Sequence, residues 1–200
     1  MKHIAIILCC LCAMPLVSQS QDTLIRHFDA KRYKLNRTGM IVLSTWSGAN
    51  IAGSAIGYGL TNSYEEKQFY LMNGAWGLIN LGIALPGALA KQKPSASLYE
   101  MQKTQSKMEK IFLANAMLDV AYITGGVALK QYSYHQTDIK DQQRFNGFGN
   151  SVIIQGAGLL VFDSFMTFLN NRNRRRNLDP ILKKASISFT GNYFRLAYRF

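Results

Sequence analysis

The sequence predicts an all-α protein of four transmembrane helices, arranged as two helical hairpins, with a short C-terminal β-hairpin. The main observation is four apolar segments, each about 20 residues long and with at most one charged side chain, which is the length a bilayer span requires. None of them has the Lys- and Glu-rich face of a soluble bundle helix. The short first, long second and intermediate third connections predict two hairpins joined by a linker.

The first 20 residues have the layout of a secretory signal peptide. Lys2 precedes an apolar run, Ile4–Val17, and small residues follow at Ser18 and Ser20. An uncleaved anchor is the alternative, although the run is short for a span. Cleavage near Gln21 would remove all three cysteines, so neither a thiolate metal site nor a cysteine nucleophile is expected.

The rest of the chain divides by composition. A polar, basic tail covers residues 21–38, the four-helix membrane bundle covers 39–170, and a basic C-terminal tail covers 171–200. The four predicted spans are Gly39–Leu60, Phe69–Ala90, Ile111–Leu129 and Phe148–Leu169.

The C-terminal stretch SISFTGNYFRLAYRF predicts two extended runs around the turn residues Thr190, Gly191 and Asn192. An amphipathic hairpin lying against the bundle or the membrane surface is the favoured interpretation. Alternation that ends on Phe200 is also typical of the last strand of an outer-membrane barrel. A barrel needs at least eight such strands, however, and the sequence offers only this pair.

Charge and signal peptide predict opposite topologies. With four spans, residues 21–38, the middle loop Lys91–Lys110 and the C-terminus share one side, which carries most of the 23 Lys and Arg residues. The positive-inside tendency places that side in the cytoplasm, whereas a cleaved signal places it outside. The signal is the more specific feature. We therefore predict a bacterial inner-membrane protein with both termini extracytoplasmic, and the outer membrane as the alternative.

The net charge of +12 raises the question of nucleic acid. A secretory signal and the lack of any DNA- or RNA-binding motif exclude that partner class and favour anionic membrane lipids. A basic cluster after the fourth helix is predicted either to contact lipid headgroups or simply to end the helix. It consists of Arg172, Arg174, Arg175 and Arg176.

Polar residues inside the apolar segments are the candidate site. An ionised Asp near the bilayer centre costs about 2.5–3.5 kcal/mol, so it is expected to face protein or water. Counting the helix rise places Asp119 and Asp163 in nearly the same layer, where two carboxylates would favour sharing a proton. The predicted polar seam, which could hold the bundle together or bind a ligand, consists of Asp119, Asp163, Asn115, Asn50, Asn80 and Trp46.

Small residues recur every four positions in the first segment, at Ala49, Gly53 and Gly57. This spacing lets two helix backbones approach closely in lipid. We interpret it as packing inside the bundle rather than as a dimer contact.

Three stretches carry a resemblance: NRTGMIVLSTWSGANIAGSAIGY, EEKQFYLMNGAWGLINLGIA and EKIFLANAMLDVAYITGG. Together with the signal peptide they resemble an uncharacterised family of small bacterial membrane proteins, labelled as a domain of unknown function, over about residues 36–170. The resemblance implies four membrane helices. It implies no activity and no functional residue.

The sequence therefore predicts only a broad class of function and no specific activity. The sequence has none of the motifs GxSxG, HExxH, P-loop or GxGxxG, so we expect no enzyme, no catalytic residue, no metal and no cofactor. A structural or interaction component is the first expectation. The alternative is a transporter-like protein that binds a proton, cation or small solute at the Asp pair. A protein partner or a homo-oligomer is compatible with both.

Overall fold

Four long helices form most of the chain, which confirms the all-α prediction. They are described in a computed structural model that covers the backbone of residues 2–190 and 193–198 and the side chains of residues 23–183. The helices are α1 (Lys2–Leu60), α2 (Tyr64–Leu89), α3 (Leu98–Ser133) and α4 (Ile139–Asn173). A π-helical segment, Arg174–Leu178, then continues α4 into the short helix α5 (Asp179–Lys184).

Two short strands follow, β1 (Ala185–Thr190) and β2 (Tyr193–Tyr198), and they pair antiparallel. Residues 191 and 192 and the side chains beyond residue 183 lie outside the described residues. The amphipathic hairpin therefore stays a prediction.

The helices are longer than the apolar segments and include residues that were predicted to form the tails and the middle loop. Residues 21–38 are part of α1, and α3 begins at Leu98, so the middle connection is shorter than predicted. The basic stretch after residue 171 is also helical, as far as Lys184. The predicted signal peptide comprises residues 1–20, of which residues 2–20 belong to α1, and their side chains lie outside the described residues. The signal likewise stays a prediction.

The chain divides into two units. Unit 1 comprises residues 1–34, 92–107 and 170–200, and unit 2 comprises residues 35–91 and 108–169. A small apolar core in unit 1 joins three distant stretches of sequence, through the buried side chains Ile25, Phe28, Met101 and Leu178. The polar segments at both chain ends thus acquire helical structure because they bury apolar side chains against one another.

A buried ion pair lies beside this core. Arg32 Nη2 and Asp29 Oδ1 are 2.8 Å apart, with side chains 9% and 1% exposed. Asp29 Oδ2 accepts the backbone N–H of Ser95 at 2.5 Å, and Arg32 donates to the carbonyl oxygen of Met101 at 3.3 Å. Burial lowers the pKa of Arg32, while the Asp29 carboxylate acts in the opposite direction. The pair therefore links α1 to the start of α3 within unit 1.

We predict that Asp29→Ala lowers the free energy of unfolding of unit 1 by about 3 kcal/mol, because it leaves a buried guanidinium without its carboxylate. Hydrogen exchange of residues 23–34 measures the loss. The matched control is Asp141→Ala, which removes an i,i+3 pair to Arg144 whose side chains are 41% exposed. An exposed pair contributes about 1 kcal/mol or less. Equal effects of the two substitutions would contradict this assignment.

The α1–α2 hairpin of unit 2 is closed by local hydrogen bonds. Ser63 is the N-cap of α2 and its Oγ accepts the backbone N–H of Glu66 at 3.4 Å. The Thr61 hydroxyl donates to the carboxylate of Glu66. A serine followed three residues later by glutamate is the capping-box pattern, and it starts the helix directly after a three-residue connection.

Helices α3 and α4 approach each other at glycines. A β-carbon on Gly126 would lie 2.8 Å from the carbonyl oxygen of Gly149, and one on Gly149 would lie 2.7 Å from that of Gly126. The predicted role of Ala49 and Gly53 is wrong. Both are exposed, and nothing lies within 4 Å of a β-carbon built on Gly53. Spacing alone does not tell which side of a helix faces its neighbours.

In unit 2 many large apolar side chains are exposed and many polar side chains are buried. Large apolar side chains are exposed on all four of its helical segments, among them Val42, Leu78, Met117 and Val161. The buried side chains include many polar ones, namely Ser47, Ser54, Asn73, Asn80, Asp119, Ser133, Ser151, Gln155 and Asp163. A soluble domain usually has the opposite distribution.

By length and composition, two helices of the described chain are apolar enough to cross a membrane. They are Leu98–Ser133 and the continuous helical stretch Ile139–Lys183. The sequence-based prediction of four such helices is corrected in this respect. In the described part of α1, Gly, Ser, Asn and Thr dilute the apolar residues, and in α2 Gly and Asn do so.

Candidate functional site

Three amides from three helices meet in the interior of unit 2. Gln155 on α4 donates from Nε2 to Asn50 Oδ1 at 2.7 Å and to Asn73 Oδ1 at 2.5 Å. Asn73 on α2 donates to Asn50 Oδ1 at 2.9 Å and to Ser54 Oγ at 3.0 Å. These bonds join α1, α2 and α4. We call Asn50, Ser54, Asn73 and Gln155 the amide cluster.

The amide cluster makes further hydrogen bonds to neighbouring groups of unit 2. Asn50 Nδ2 donates to the carbonyl oxygen of Trp46 at 2.8 Å, and Gln155 Oε1 accepts Asn80 Nδ2 at 3.5 Å. Buried polar groups that are partnered in this way fix how helices pack. The geometry therefore assigns a structural role to this cluster.

We expect Gln155→Leu to lower the free energy of unfolding by about 2 kcal/mol, because Asn50 and Asn73 then lose a buried donor. Thermal unfolding followed by circular dichroism measures the change. Gln131→Leu is the matched control, since Gln131 is exposed near the end of α3. If the two variants unfold together, the amide cluster does not stabilise the bundle.

The second polar group of unit 2 is a pair of carboxyls. Asp119 on α3 and Asp163 on α4 are 2% and 4% exposed, and both carboxyl groups line one cavity, close enough to interact electrostatically. The Asn115 side chain also hydrogen-bonds to Asp163. Two neighbouring buried carboxyl groups favour sharing one proton, because two negative charges so close together repel each other. We call Asp119 and Asp163 the acid pair.

One carboxyl oxygen of the acid pair, Asp119 Oδ2, is deeply buried. Within the described part of the chain, this oxygen accepts no hydrogen bond from an amide, a hydroxyl or the backbone. A buried unpartnered carboxyl oxygen costs about 1–3 kcal/mol, so it calls for a functional explanation.

A cavity of about 200 Å³ lies against the acid pair. Its polar lining consists of both carboxyls, Asn80, Asn115 and Tyr122. The remaining walls are apolar and sulfur-containing side chains from all four helical segments: Met40, Leu43, Trp76, Ile79, Ile83, Met108, Ile111, Phe112, Leu118, Leu159 and Phe162. No Lys, Arg or His lines it within the described residues. The acid pair therefore has no counter-charge at the cavity.

Two aromatic contacts shape the cavity wall. Trp76 and Tyr122 pack edge to face with their ring centroids 4.8 Å apart, and Phe112 and Phe162 do so at 6.4 Å. Each contact joins side chains of different helices, so the wall is held by packing between elements.

Trp46 does not belong to the polar seam, which corrects its predicted place. Its side chain is 41% exposed and packs over Gly158, where a β-carbon would lie 3.1 Å from the indole. It lines an apolar groove of about 440 Å³, which shares Leu43, Leu159 and Phe162 with the cavity. The position of Trp46 in its helix suggested a place in the seam, but its side chain points toward the apolar groove.

The other predicted residues separate into two groups. Asn50 joins the amide cluster, Asn115 joins the acid pair, and Asn80 both lines the cavity and contacts Gln155. Arg172, Arg175 and Arg176 are exposed, and Arg174 donates to Asn171 Oδ1 at 3.2 Å. Their contact with lipid headgroups stays a prediction.

The site contains more polar residues than were singled out. Gln155, Asn73 and Ser54 are central to the amide cluster. Their presence in apolar helices was visible in the sequence, but the helix faces that bring them together were not. Among the described residues, no three His, Cys, Asp or Glu side chains come together as a metal site.

The comparison with known proteins concerns mainly unit 2. The sequence model of DUF6992, a family of unknown function, matches residues 42–164, more than half of the chain. The chain belongs to this family. No curated protein and no solved structure matches it significantly.

The DUF6992 match spans the amide cluster and both carboxyls of the acid pair. Most of unit 1 and the basic cluster at residues 172–176 lie outside it. The family description carries no activity.

Proposed function

We propose that unit 2 is a membrane-embedded binding domain in which the acid pair holds one shared proton and binds a small solute in the adjoining cavity. The observation that carries the proposal is Asp119 Oδ2, which is buried at a cavity with no basic side chain among the described residues and accepts no hydrogen bond there from an amide, a hydroxyl or the backbone. A purely structural carboxyl would be expected to have its acceptors filled. In this proposal the chain is not an enzyme.

The distribution of side chains supports the membrane location. Exposed Leu, Ile, Val and Phe side chains on all four segments of unit 2 would face lipid, while the Asn, Gln, Ser and Asp side chains are inside. The proposal includes all four segments as spans. It keeps the inner membrane, with both termini outside the cytoplasm, as the predicted location, and lipid headgroups as partners of the basic cluster at residues 172–176.

Cysteine labelling tests the number of spans. Single cysteines at exposed Asn62, Ser97 and Thr137 are placed in a chain whose Cys9, Cys10 and Cys12 are serine. Four spans place positions 62 and 137 on one side and position 97 on the other. If only α3 and α4 cross, positions 62 and 97 label together from the side opposite to 137. Equal labelling of all three positions in sealed vesicles would contradict a membrane location.

Proton binding tests the function. The purified full chain in detergent and its Asp119→Asn/Asp163→Asn variant are titrated from neutral to alkaline pH, where isolated aspartates have already lost their protons. Besides the acid pair, Tyr122 is the one titratable group lining the cavity, and both proteins retain it. We expect the wild-type chain to release about one proton more than the variant. Identical titrations would contradict the proposal.

A structural or interaction component remains the second candidate. The amide cluster favours it, because its hydrogen bonds join three helices without involving a cavity. In that account the acid pair too would serve helix packing, and its replacement would affect stability and not binding.

A further inference from the structure

The ligand class can be read from the cavity beside the acid pair. Its walls are mainly apolar and aromatic, and its most polar groups are the two carboxyls of the acid pair, whose oxygens are hydrogen-bond acceptors. A ligand that fits must carry a donor or positive charge at one end and an apolar body at the other.

The net charge of the acid pair further restricts which ligands the cavity can bind. With one shared proton, the acid pair carries a single net negative charge, and no basic side chain lining the cavity neutralises it within the described residues. One monovalent cation would balance that charge, whereas an anion would be repelled. A strongly hydrated metal ion is disfavoured, because the walls offer few oxygen ligands to replace its water.

Aromatic side chains favour an organic cation over a bare one. Trp76, Tyr122, Phe112 and Phe162 line the cavity, and aromatic faces attract ammonium groups by about 0.5–2 kcal/mol depending on desolvation. Apolar surface of the ligand would also be removed from water against Ile79, Ile83 and Leu118. An ammonium group with a hydrocarbon body satisfies both kinds of lining.

We propose that the cavity of unit 2 binds a small lipophilic ammonium ion, whose N–H group donates to a carboxyl oxygen of the acid pair while its apolar body lies among the aromatic side chains. This inference rests on the proposed function and specifies its solute. The apolar groove along Trp46, which shares Leu43, Leu159 and Phe162 with the cavity, gives such a ligand a route from the membrane phase.

A second proton competes with the cation in this arrangement. Protonation of both carboxyls removes the negative charge, so affinity for the cation should fall as the pH is lowered. The titratable groups facing the ligand are Asp119, Asp163 and Tyr122, and the two carboxyls are the ones that carry the negative charge.

Tryptophan fluorescence provides the test. The chain has two tryptophans, and Trp46→Phe leaves Trp76, in the cavity wall, as the single reporter. The full chain with this substitution is titrated in detergent with benzylammonium, ammonium, benzyl alcohol and benzoate. We expect saturable binding of benzylammonium, about tenfold or more weaker binding of ammonium and of benzyl alcohol, and none of benzoate.

The variant Asp119→Asn/Asp163→Asn keeps the shape of the side chains and removes the charge. Provided that circular dichroism shows the same helix content, it should lose the preference for benzylammonium over benzyl alcohol. Wild-type binding of benzyl alcohol as tight as that of benzylammonium would overturn the inference, and this control needs no variant. If the proton titration succeeds and benzylammonium does not bind, the inference fails alone. If no shared proton is found, the proposed function fails as well.

Discussion

Gly126→Ala should lower the free energy of unfolding of unit 2 by about 3 kcal/mol, because the added methyl group meets backbone that cannot move aside. The new β-carbon would lie 2.8 Å from the carbonyl oxygen of Gly149 and 2.9 Å from the backbone nitrogen of Ile153. Side chains can change rotamer to relieve such a contact, but two helix backbones must separate. Unfolding of the purified chain by heat or denaturant measures the loss.

The neighbouring glycine supplies the control. A β-carbon built on Gly125 has nothing within 4 Å, and Gly125 is exposed on the same helix. Gly125→Ala should be neutral or stabilising by up to about 1 kcal/mol, because alanine is the better helix former. Equal destabilisation by both substitutions would show that helix conformation, and not the α3–α4 contact, is responsible.

The second large effect is expected at the acid pair. Asp119→Asn and Asp163→Asn should each abolish the proton that the wild-type chain holds at neutral pH, because an amide can donate to the remaining carboxylate without a shared proton. The change in unfolding free energy should stay within about 1 kcal/mol, since one interhelical hydrogen bond replaces another. Proton titration and thermal unfolding of the same samples measure the two quantities.

This pair of measurements separates the two candidate functions. A binding site loses its proton and keeps its stability, whereas a packing contact loses stability. A matched control is Asp138→Asn, since Asp138 is exposed in the connection between α3 and α4. If the acid-pair variants change only stability, the acid pair is structural and the proposed function is wrong.

The sequence predicted the helices because apolar length is a strong local signal. Segments such as Gly39–Leu60 and Phe148–Leu169 fall inside α1 and α4. Unit 1 was not predicted, because its core joins Ile25, Met101 and Leu178, which are far apart in a sequence of otherwise polar composition. Such a core depends on tertiary contacts that no window of residues contains.

In the candidate site, too, some features could be predicted from the sequence and others could not. Depth counting brought Asp119 and Asp163 together because rise per residue fixes the height of a side chain in antiparallel helices. It failed for Trp46, since the direction of a side chain around the helix axis depends on how neighbouring helices pack. The orientation of each helix about its axis also determines that Gln155 contacts Asn50 and Asn73, which sequence spacing alone does not predict.

The shared proton is the central claim, and infrared spectroscopy tests it most directly. A protonated carboxyl absorbs as C=O, and a carboxylate absorbs at clearly lower frequency. At neutral pH the wild-type chain should show a protonated carboxyl band that shifts in D2O and is missing from Asp119→Asn/Asp163→Asn. Spectra of the two proteins that agree throughout the protonated carboxyl region would contradict the account.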